Sequence, residues 1–343
     1  MKLIKYSSKY FLSAQKIIEE SKIGKKSTIR FFCFNNNTCI SGINYLKKLI
    51  EDEKKENKLN SIVIYSVEEG TIVSAFETVM IIEGFYYEFA YLENIVDGLL
   101  SRMSSVATNC LEYIESAKNK SIIFMADRSD FYLNQPIDGY AAYVGGMKNF
   151  VTKGLIDLLP IDNDANYLGT MSHSLIQQCQ GQLLLAIELF SNTFQNEKII
   201  ALIDYHNDCL SEIDKLAKSK FKNNIYAVRV DTSKSLIDNC LIENKDNNEY
   251  YGVNHYLISK IRNKLDSLEM KNVKIIASSG VDLNKIKEFE SLNTPVDIYG
   301  IGSALIARRC HFAADLIKIE DKYESKFGRN ISVEKDFKKL TKW

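Results

Sequence analysis

Residues 225–231 have the sequence IYAVRVD, a short apolar, β-branched run that ends in an arginine and an aspartate. Six further runs share this pattern, and helical stretches separate most of them: SIIFMAD (121–127), YAAYVGG (140–146), NYLGT (166–170), KIIALID (198–204), VKIIASSG (273–280) and DIYGIGS (297–303). Strands that alternate with helices favour parallel βα units. Seven of them in succession predict an α/β barrel, complete or incomplete, rather than an open sheet.

The first third of the chain is patterned differently. Its apolar spacing predicts, in chain order, an extended segment with a helix (1–22), a strand (28–34), a helix (40–58), short strands (61–82) and a long helix (86–118). No Pro- or Gly-rich linker follows, so any domain boundary must be packed. We expect a smaller N-terminal α/β or β-rich domain, residues 1–115, completed by residues 310–343, and an α/β-barrel domain over residues 116–309.

Composition excludes several classes of protein. The 343 residues are 45% hydrophobic and 26% charged, which is the balance of an ordinary globular protein and not of a disordered chain. Lys+Arg and Asp+Glu number 44 each, so no overall basic field is available to hold nucleic acid through its phosphates. The N-terminus lacks the apolar core of a signal peptide, and no apolar run reaches the ~20 residues that span a bilayer. We therefore expect a cytoplasmic protein that binds neither nucleic acid nor membrane.

Seven cysteines are spread along the chain, an odd number without any C-x-x-C spacing. This pattern predicts reduced thiols and neither a disulfide framework nor a zinc site. No second histidine or cysteine lies at metal-ligand spacing from His173, which also argues against zinc.

Polar and small residues stand where the strand runs end. Chemistry in an α/β barrel takes place on the loops after the carboxyl ends of the strands, so these residues are expected to converge. They are Asp127-Arg128, Gly145-Gly146, Gly169-Thr170 followed by His173, Asp204, Arg229 with Asp231-Thr232, Ser278-Ser279-Gly280, and Gly300 with Gly302-Ser303.

The glycine-rich turns SSGVD (278–282) and YGIGSAL (299–305) follow the last two strand runs. Backbone N–H groups of such turns can cradle a phosphate, and small residues let the phosphate approach. The loops after the last two strands of an α/β barrel commonly form this kind of site. The alternative is that each glycine only allows the chain to turn.

Asp204, Arg229 and Asp231 suit a sugar that carries pyrophosphate. Carboxylates accept hydrogen bonds from ribose hydroxyls and can hold Mg²⁺, while a guanidinium pairs with phosphate oxygens. Alternatively, the aspartates cap the helices that follow them.

Arg128 and His173 are candidates for two further roles. Arg128 can clamp a small carboxylate, or it can form an ion pair with Asp127 or Asp130. His173 stands in GTMSHSLIQQ, after a strand run and at the predicted start of a helix. An imidazole beside a phosphate site can act as a general base or accept a phosphoryl group.

The chain resembles a known family, the bacterial nicotinate phosphoribosyltransferases. These are type II phosphoribosyltransferases with a quinolinate-transferase-like fold. The similar segments follow the family's order from about residue 65 to 329, and KYFLSAQ (9–15) resembles its opening segment. They are EGTIVSAFETVMIIEG (69–84), SRMSSVATN (101–109), FMADRSDFYLNQPIDGYAAYVGG (124–146), GTMSHSLIQ (169–177), ALIDYHND (201–208), VRVDTS (228–233), GVNHYLISKIRNKLD (252–266), VKIIASSGVDLNKIKEFE (273–290), PVDIYGIGSAL (295–305) and ADLIKIEDKYESKFGR (314–329). One departure is Ser172, where the family usually has proline before the histidine.

The resemblance implies an activity. Such enzymes transfer ribose 5-phosphate from phosphoribosyl pyrophosphate to nicotinate, giving nicotinate mononucleotide and pyrophosphate in NAD salvage. They use Mg²⁺ and couple the transfer to hydrolysis of ATP, a co-substrate. By resemblance, His173 is the histidine that ATP phosphorylates.

The resemblance also implies roles for the other residues. Arg128 would hold the nicotinate carboxylate, and Arg229 the phosphates. Asp204 and Asp231 would engage the ribose or Mg²⁺. Ser279, Gly280, Gly300 and Gly302 would cradle the 5-phosphate, and Thr170 and Ser303 are further expected substrate-binding residues. Tyr10 resembles the tyrosine that reaches the pyridine ring from the neighbouring subunit, which implies a homodimer with shared active sites.

Two other interpretations compete. The enzyme could act on nicotinamide, which needs no carboxylate clamp, or on quinolinate, which needs more cations. A catalytically inactive homologue that acts as a ligand sensor would be expected to have lost site residues, yet His173, Arg229, Asp231 and both glycine turns are present.

Overall fold

The computed structural model describes residues 3–57, 59, 61–329 and 336–343. It has two compact units, one formed by Met1–Leu111, Tyr140–Gly146 and Ile306–Trp343, the other by Glu112–Gly139 and Met147–Leu305. Met1 and Lys2 of the predicted first segment, Lys58 of the second predicted helix, and residues 330–335 of the predicted C-terminal contribution lie outside the described residues. None of the described helices combines the length and apolar character that a membrane span requires.

The regular elements are numbered along the chain. The strands are β1 (Lys26–Cys33), β2 (Thr38–Cys39), β3 (Val63–Ser66), β4 (Ile72–Val73), β5 (Thr78–Phe85), β6 (Ser121–Phe124), β7 (Asn149–Phe150), β8 (Asn166–Tyr167), β9 (Ile199–Leu202), β10 (Ile225–Val230), β11 (Lys274–Ala277), β12 (Ile298–Ile301), β13 (Phe312–Ile319), β14 (Lys322–Tyr323) and β15 (Thr341–Lys342). The helices are α1 (Lys9–Glu20), α2 (Ile43–Asn57), α3 (Tyr86–Phe89), α4 (Glu93–Ser116), α5 (Gln135–Val144), α6 (Lys153–Ile156), α7 (His173–Gln178), α8 (Leu183–Thr193), α9 (Cys209–Lys218), α10 (His255–Ser267) and α11 (Leu283–Ser291). Short 3-10 helices cover Leu3–Tyr6, Ala90–Leu92, Tyr132–Asn134, Lys222–Asn224, Asn239–Asn244, Asn248–Tyr250, Ser303–Ile306 and Phe337–Lys339.

The first unit is built on a six-stranded sheet in the order β14-β13-β1-β5-β3-β15, with antiparallel pairing throughout. β13 pairs along almost the whole of β1, from Ser27 opposite Ile319 to Cys33 opposite Phe312. The C-terminal segment therefore completes the N-terminal sheet, as predicted. Apolar side chains from one sheet face and from α2 and α4, such as Phe31 and Leu46, form its core.

The second unit contains a seven-stranded parallel sheet in the order β8-β7-β6-β12-β11-β10-β9. β12 is the last of these seven strands along the chain and β6 is the first. The two pair in parallel, with Ile298 opposite Ser121. The strands thus follow one another around a curled sheet, and within the described residues no ladder joins β8 to β9. Ile123, Ala227 and Ile276 pack in its centre. This confirms the predicted incomplete α/β barrel.

One predicted strand is wrong. The run YAAYVGG (140–146) belongs to helix α5 and the turn after it, and the strand at that point of the sheet is β7, residues Asn149–Phe150. A Cβ on Gly145 would lie 2.4 Å from the Ala107 carbonyl oxygen, so close packing against α4 requires this glycine. Gly146, at φ +97°, ends the helix in the left-handed conformation. These two glycines therefore do not stand at a strand end.

We predict that Gly139→Ala strongly destabilises the protein. A Cβ on Gly139, within α5, would lie 1.7 Å from the Leu155 carbonyl oxygen, so backbone must move to admit it. We expect the free energy of unfolding to fall by about 3 kcal/mol. Urea unfolding would measure it, with Gly98→Ala in α4 as the control, because a Cβ there meets nothing within 4 Å. The control should raise stability by about 0.5–1 kcal/mol; equal effects of the two variants would contradict the packing argument.

Candidate active site

A cavity of about 980 Å³ lies at the carboxyl ends of the strands of the parallel sheet. The loops after β6, β8, β10, β11 and β12 line it, as expected for the catalytic end of an α/β barrel. The predicted strand-end residues that line it are Asp127, Arg128, Gly169, Thr170, His173, Arg229, Asp231, Ser278, Ser279, Gly280, Gly300, Gly302 and Ser303, whereas Asp204 is not among its lining residues. The parallel register therefore brings together side chains that are as far apart in the chain as Arg128 and Ser303.

His173 stands between two carboxylates. It is the first residue of α7, and the Ser172 hydroxyl caps this helix by accepting a hydrogen bond from the Leu175 N–H at 3.2 Å. Nε2 of His173 lies 3.2 Å from Oδ1 of Asp204, while Nδ1 lies 4.0 Å from Oδ2 of Asp231. When Nε2 carries the proton, Asp204 accepts it in a hydrogen bond and the Nδ1 lone pair is left without a hydrogen.

Asp204 is the more buried partner of His173, with a side chain 6% exposed against 46% for the histidine. Burial raises the pKa of Asp204 above its ordinary value, His173 opposes the rise, and the nearby charge of Asp231 adds to it. The carboxyl group is therefore kept in an environment that disfavours its charge unless the imidazole compensates for it.

Arg229 is held by protein acceptors on all three of its nitrogen atoms. Nε donates to the Ser278 hydroxyl at 3.0 Å, Nη1 to Thr170 Oγ1 at 2.8 Å, and Nη2 to Asp231 Oδ2 at 2.5 Å. Ser278 in turn donates to the other oxygen of Asp231, Oδ1, at 2.8 Å. Arg229, Asp231 and Ser278 thus form a closed ring of hydrogen bonds at the ends of two neighbouring strands, β10 and β11.

The two glycine-rich turns differ in the space that surrounds their glycines. Ser279 and Gly280 both take left-handed φ values, +70° and +66°, and a Cβ on Gly280 would meet nothing within 4 Å. The space over Gly280 is therefore open to a ligand. Gly300, by contrast, packs under Met125, because a Cβ there would lie 2.9 Å from the Met125 sulfur.

Two cations of the cavity wall carry unpaired charge. Arg128 and Lys234 are exposed, and neither has a hydrogen-bonded or ion-paired partner among the residues that the structure describes. The ion pair considered for Arg128 is thus not formed. The sequence analysis did not identify Lys234 as a site residue. The sequence feature that could have pointed to it is its position three residues after Asp231, in the same strand-end loop.

The chain is similar to several known proteins. Residues 10–104 match the family model described as the quinolinate phosphoribosyl transferase N-terminal domain. The crystal structure of nicotinate-nucleotide pyrophosphorylase from Pyrococcus furiosus is similar at a TM-score of 0.79 with 27% identity, covering 95% of this chain and 78% of that one. The chain is therefore similar in fold to that enzyme, and its residues 10–104 match the quinolinate phosphoribosyl transferase N-terminal domain.

Two further proteins are similar to this chain. The curated nicotinate phosphoribosyltransferase pncB2 of Mycobacterium tuberculosis is 22% identical over 262 residues, which cover 74% of this chain and 50% of that protein. The chain therefore spans about half the length of the curated relatives it matches. Human nicotinic acid phosphoribosyltransferase shares the fold at a TM-score of 0.65 and 12% identity, with 93% of this chain and 76% of that chain covered.

Some predicted features of this chain lie away from the cavity wall. Tyr10 is on α1 of the first unit, 66% exposed, and is not among the residues that line the cavity. His206 and His255 contact the Gly181 carbonyl oxygen and the Thr294 hydroxyl, and neither histidine lines the cavity. All seven cysteines are free, so the expected absence of a disulfide framework holds.

Asp204 and Asp231 suit Mg²⁺ only when the substrate brings the ion with it. Within the described ranges no group of three or more His, Cys, Asp or Glu side chains could hold a metal. Both oxygens of Asp231 already accept hydrogen bonds, and Asp204 is engaged by His173. Mg²⁺ commonly binds through one or two carboxylates together with substrate phosphates, and Asp204 and Asp231 can supply that number.

We predict that Asp204→Asn stabilises the fold at neutral pH while it removes the partner of His173. An acid whose pKa is raised by folding contributes stability at acid pH, and this contribution is lost as the pH rises from its ordinary pKa, about 4, through the raised value. The amide has no charge to desolvate, so the variant should gain stability over wild type as the pH rises through that window.

Urea unfolding between pH 4 and pH 8 would measure the effect. Asp162→Asn, which removes an exposed carboxylate, serves as the control and should follow the wild type. A variant Asp204→Asn that is less stable than wild type at every pH would show that the contact with His173 outweighs burial.

Proposed function

We propose that this protein transfers the 5-phosphoribosyl group of phosphoribosyl pyrophosphate to nicotinate, forming nicotinate mononucleotide and pyrophosphate in NAD salvage. The observation that carries the proposal is one cavity lined by an open glycine turn, by an arginine that has no partner among the described residues, and by a histidine that contacts two carboxylates. The names of the M. tuberculosis and human proteins, which refer to nicotinate, support the choice of pyridine.

Each group suits a part of this reaction. The Arg128 guanidinium can bind the single carboxylate of nicotinate through two hydrogen bonds. The open turn at Ser279-Gly280, with Gly302 on the next loop, can take the 5-phosphate against backbone N–H groups. The pyridine nitrogen attacks the anomeric carbon as the bond to pyrophosphate breaks, and it carries no proton that a base must remove.

Catalysis then depends on orientation and on charge. Positive charge develops at the anomeric carbon as pyrophosphate leaves, so a carboxylate beside the ribose stabilises it. Asp231 is held for this role by Arg229 and Ser278. Mg²⁺, carried by the pyrophosphate, would neutralise part of the leaving charge.

We also propose that ATP phosphorylates His173. With the Nε2 proton donated to Asp204, the Nδ1 lone pair can attack the γ-phosphorus; the N–P bond forms, the bond from phosphorus to the β,γ-bridging oxygen breaks, and ADP leaves. The added phosphoryl charge would lie beside the pyrophosphate site, and its hydrolysis would drive product release. In the proposed homodimer the exposed ring of Tyr10 would face the pyridine of the partner subunit.

A second candidate substrate is quinolinate. The matching family model is described by that name, and Lys234 supplies a second unpaired cation that a second carboxylate could use. Nicotinamide would leave Arg128 without a carboxylate. The completeness of the cavity argues against an inactive ligand sensor.

The test is product formation from phosphoribosyl pyrophosphate and Mg²⁺ with nicotinate, nicotinamide or quinolinate, each with and without ATP. We expect nicotinate alone to react, and ATP to stimulate wild type but not His173→Ala. Arg128→Ala should raise KM for nicotinate by about 10- to 100-fold, because a charge-assisted hydrogen bond is lost.

Lys271→Ala, which removes an exposed positive charge away from the cavity wall, is the matched control and should behave as wild type. Reaction of quinolinate or nicotinamide in place of nicotinate would contradict the role given to Arg128. Failure of all three pyridines would contradict the proposed activity.

A further inference from the structure

Lys234 is a cation of the cavity wall for which the proposed reaction has so far required no role. It follows β10 in the same loop as Asp231, it is exposed, and among the described residues it has no ion-paired or hydrogen-bonded partner. The resemblance assigns Arg229 to the phosphates. Unlike Lys234, however, Arg229 already donates a hydrogen bond from each of its side-chain nitrogens to a protein oxygen. The charge available to an incoming anion on this loop is therefore that of Lys234.

The backbone that carries Lys234 is firmly positioned. Gly252, at φ +64°, lies directly against it, and a Cβ there would be 2.9 Å from the Lys234 Cα. The Gly252 N–H donates to the Leu236 carbonyl oxygen at 2.7 Å, and the Leu236 N–H donates to that of Ser233 at 2.9 Å. A glycine eighteen positions later in the chain thus supports the loop, while the Lys234 side chain itself is exposed.

The charges that line the cavity favour a role for Lys234 in binding an anion. Asp127, Asp231 and Asp282 also line the cavity, and phosphoribosyl pyrophosphate carries several negative charges on three phosphates. Arg229 neutralises Asp231, and the nicotinate carboxylate occupies Arg128 in the proposed function. A lysine ammonium on a flexible stem has three donors and can follow a phosphate that shifts as its bond breaks.

We propose that Lys234 binds the pyrophosphate group of phosphoribosyl pyrophosphate, and that Arg229 instead positions Asp231. The inference rests on the proposed function. Lys234 follows the strand that carries Asp231, whose Oδ2 lies 4.0 Å from His173 Nδ1, whereas the 5-phosphate turns follow β11 and β12. Lys234 thus lines the cavity from the loop that also carries Asp231, the neighbour of His173, and we infer that it meets the leaving group there.

The test is calorimetric titration with inorganic pyrophosphate plus Mg²⁺ and, separately, with nicotinate mononucleotide, which carries the 5-phosphate but no pyrophosphate. Lys234→Ala should weaken pyrophosphate binding by about 10- to 100-fold and change mononucleotide binding by less than about twofold. Lys234→Arg should restore most of the pyrophosphate affinity. Gly252→Ala should weaken pyrophosphate binding in the same direction without removing a charge.

Lys245→Ala is the control, because it removes an exposed lysine from the same stretch that does not line the cavity, and it should bind both ligands as wild type does. Unchanged pyrophosphate affinity in Lys234→Ala would overturn the assignment, as would an equal loss for the mononucleotide, which would place Lys234 at the 5-phosphate. Wild type that binds neither ligand would overturn the proposed function itself, so the two failures are distinguishable.

Discussion

The ion pair between Arg229 and Asp231 is the interaction on which the rest of the site depends. The two side chains are 13% and 17% exposed, and Ser278 closes the ring by contacting both. Removing one member of such a pair leaves the other charge partly buried and unpaired, which costs far more than a surface ion pair would. The ring fixes the direction of the Asp231 carboxylate and thereby the space between it and His173. It also uses the donors of Arg229, and in our proposal the pyrophosphate is therefore bound by Lys234.

The curled sheet explains why these groups meet. Because β12 pairs with β6, the loop that carries Gly302 lies next to the loop that carries Arg128, although the two are far apart in the chain. β10 and β11 are also neighbours, so Ser278 reaches the Arg229–Asp231 pair from the adjacent strand. Parallel register places all these strand ends on one side of the sheet. The open position between β8 and β9 does not disturb this arrangement, because His173 and Asp204 still meet across it.

Much of this could be predicted from the sequence, since strands buried on both faces leave short β-branched runs and polar residues at their ends. The run at 140–146 was misassigned because alanine, tyrosine and valine suit either a helix or a strand, and the deciding contact of Gly145 with Ala107 is distant in the chain. The partners of Arg229 come from three loops, so no local pattern reveals that its donors are used. Lys234 lies between two serines and has the appearance of a solvated loop residue, and only the position of Gly252 shows that its backbone is supported.

We propose that one cavity binds the pyridine carboxylate of a nucleotide at Arg128 and the 5-phosphate of the same nucleotide at the glycine turns. A crystal structure of the protein with nicotinate mononucleotide tests this most directly. We expect the 5-phosphate to lie on the backbone of Ser279-Gly280 and the Gly302 loop, with the pyridine carboxylate against the Arg128 guanidinium. A nucleotide bound elsewhere, or bound here with its phosphate on Arg128, would contradict it.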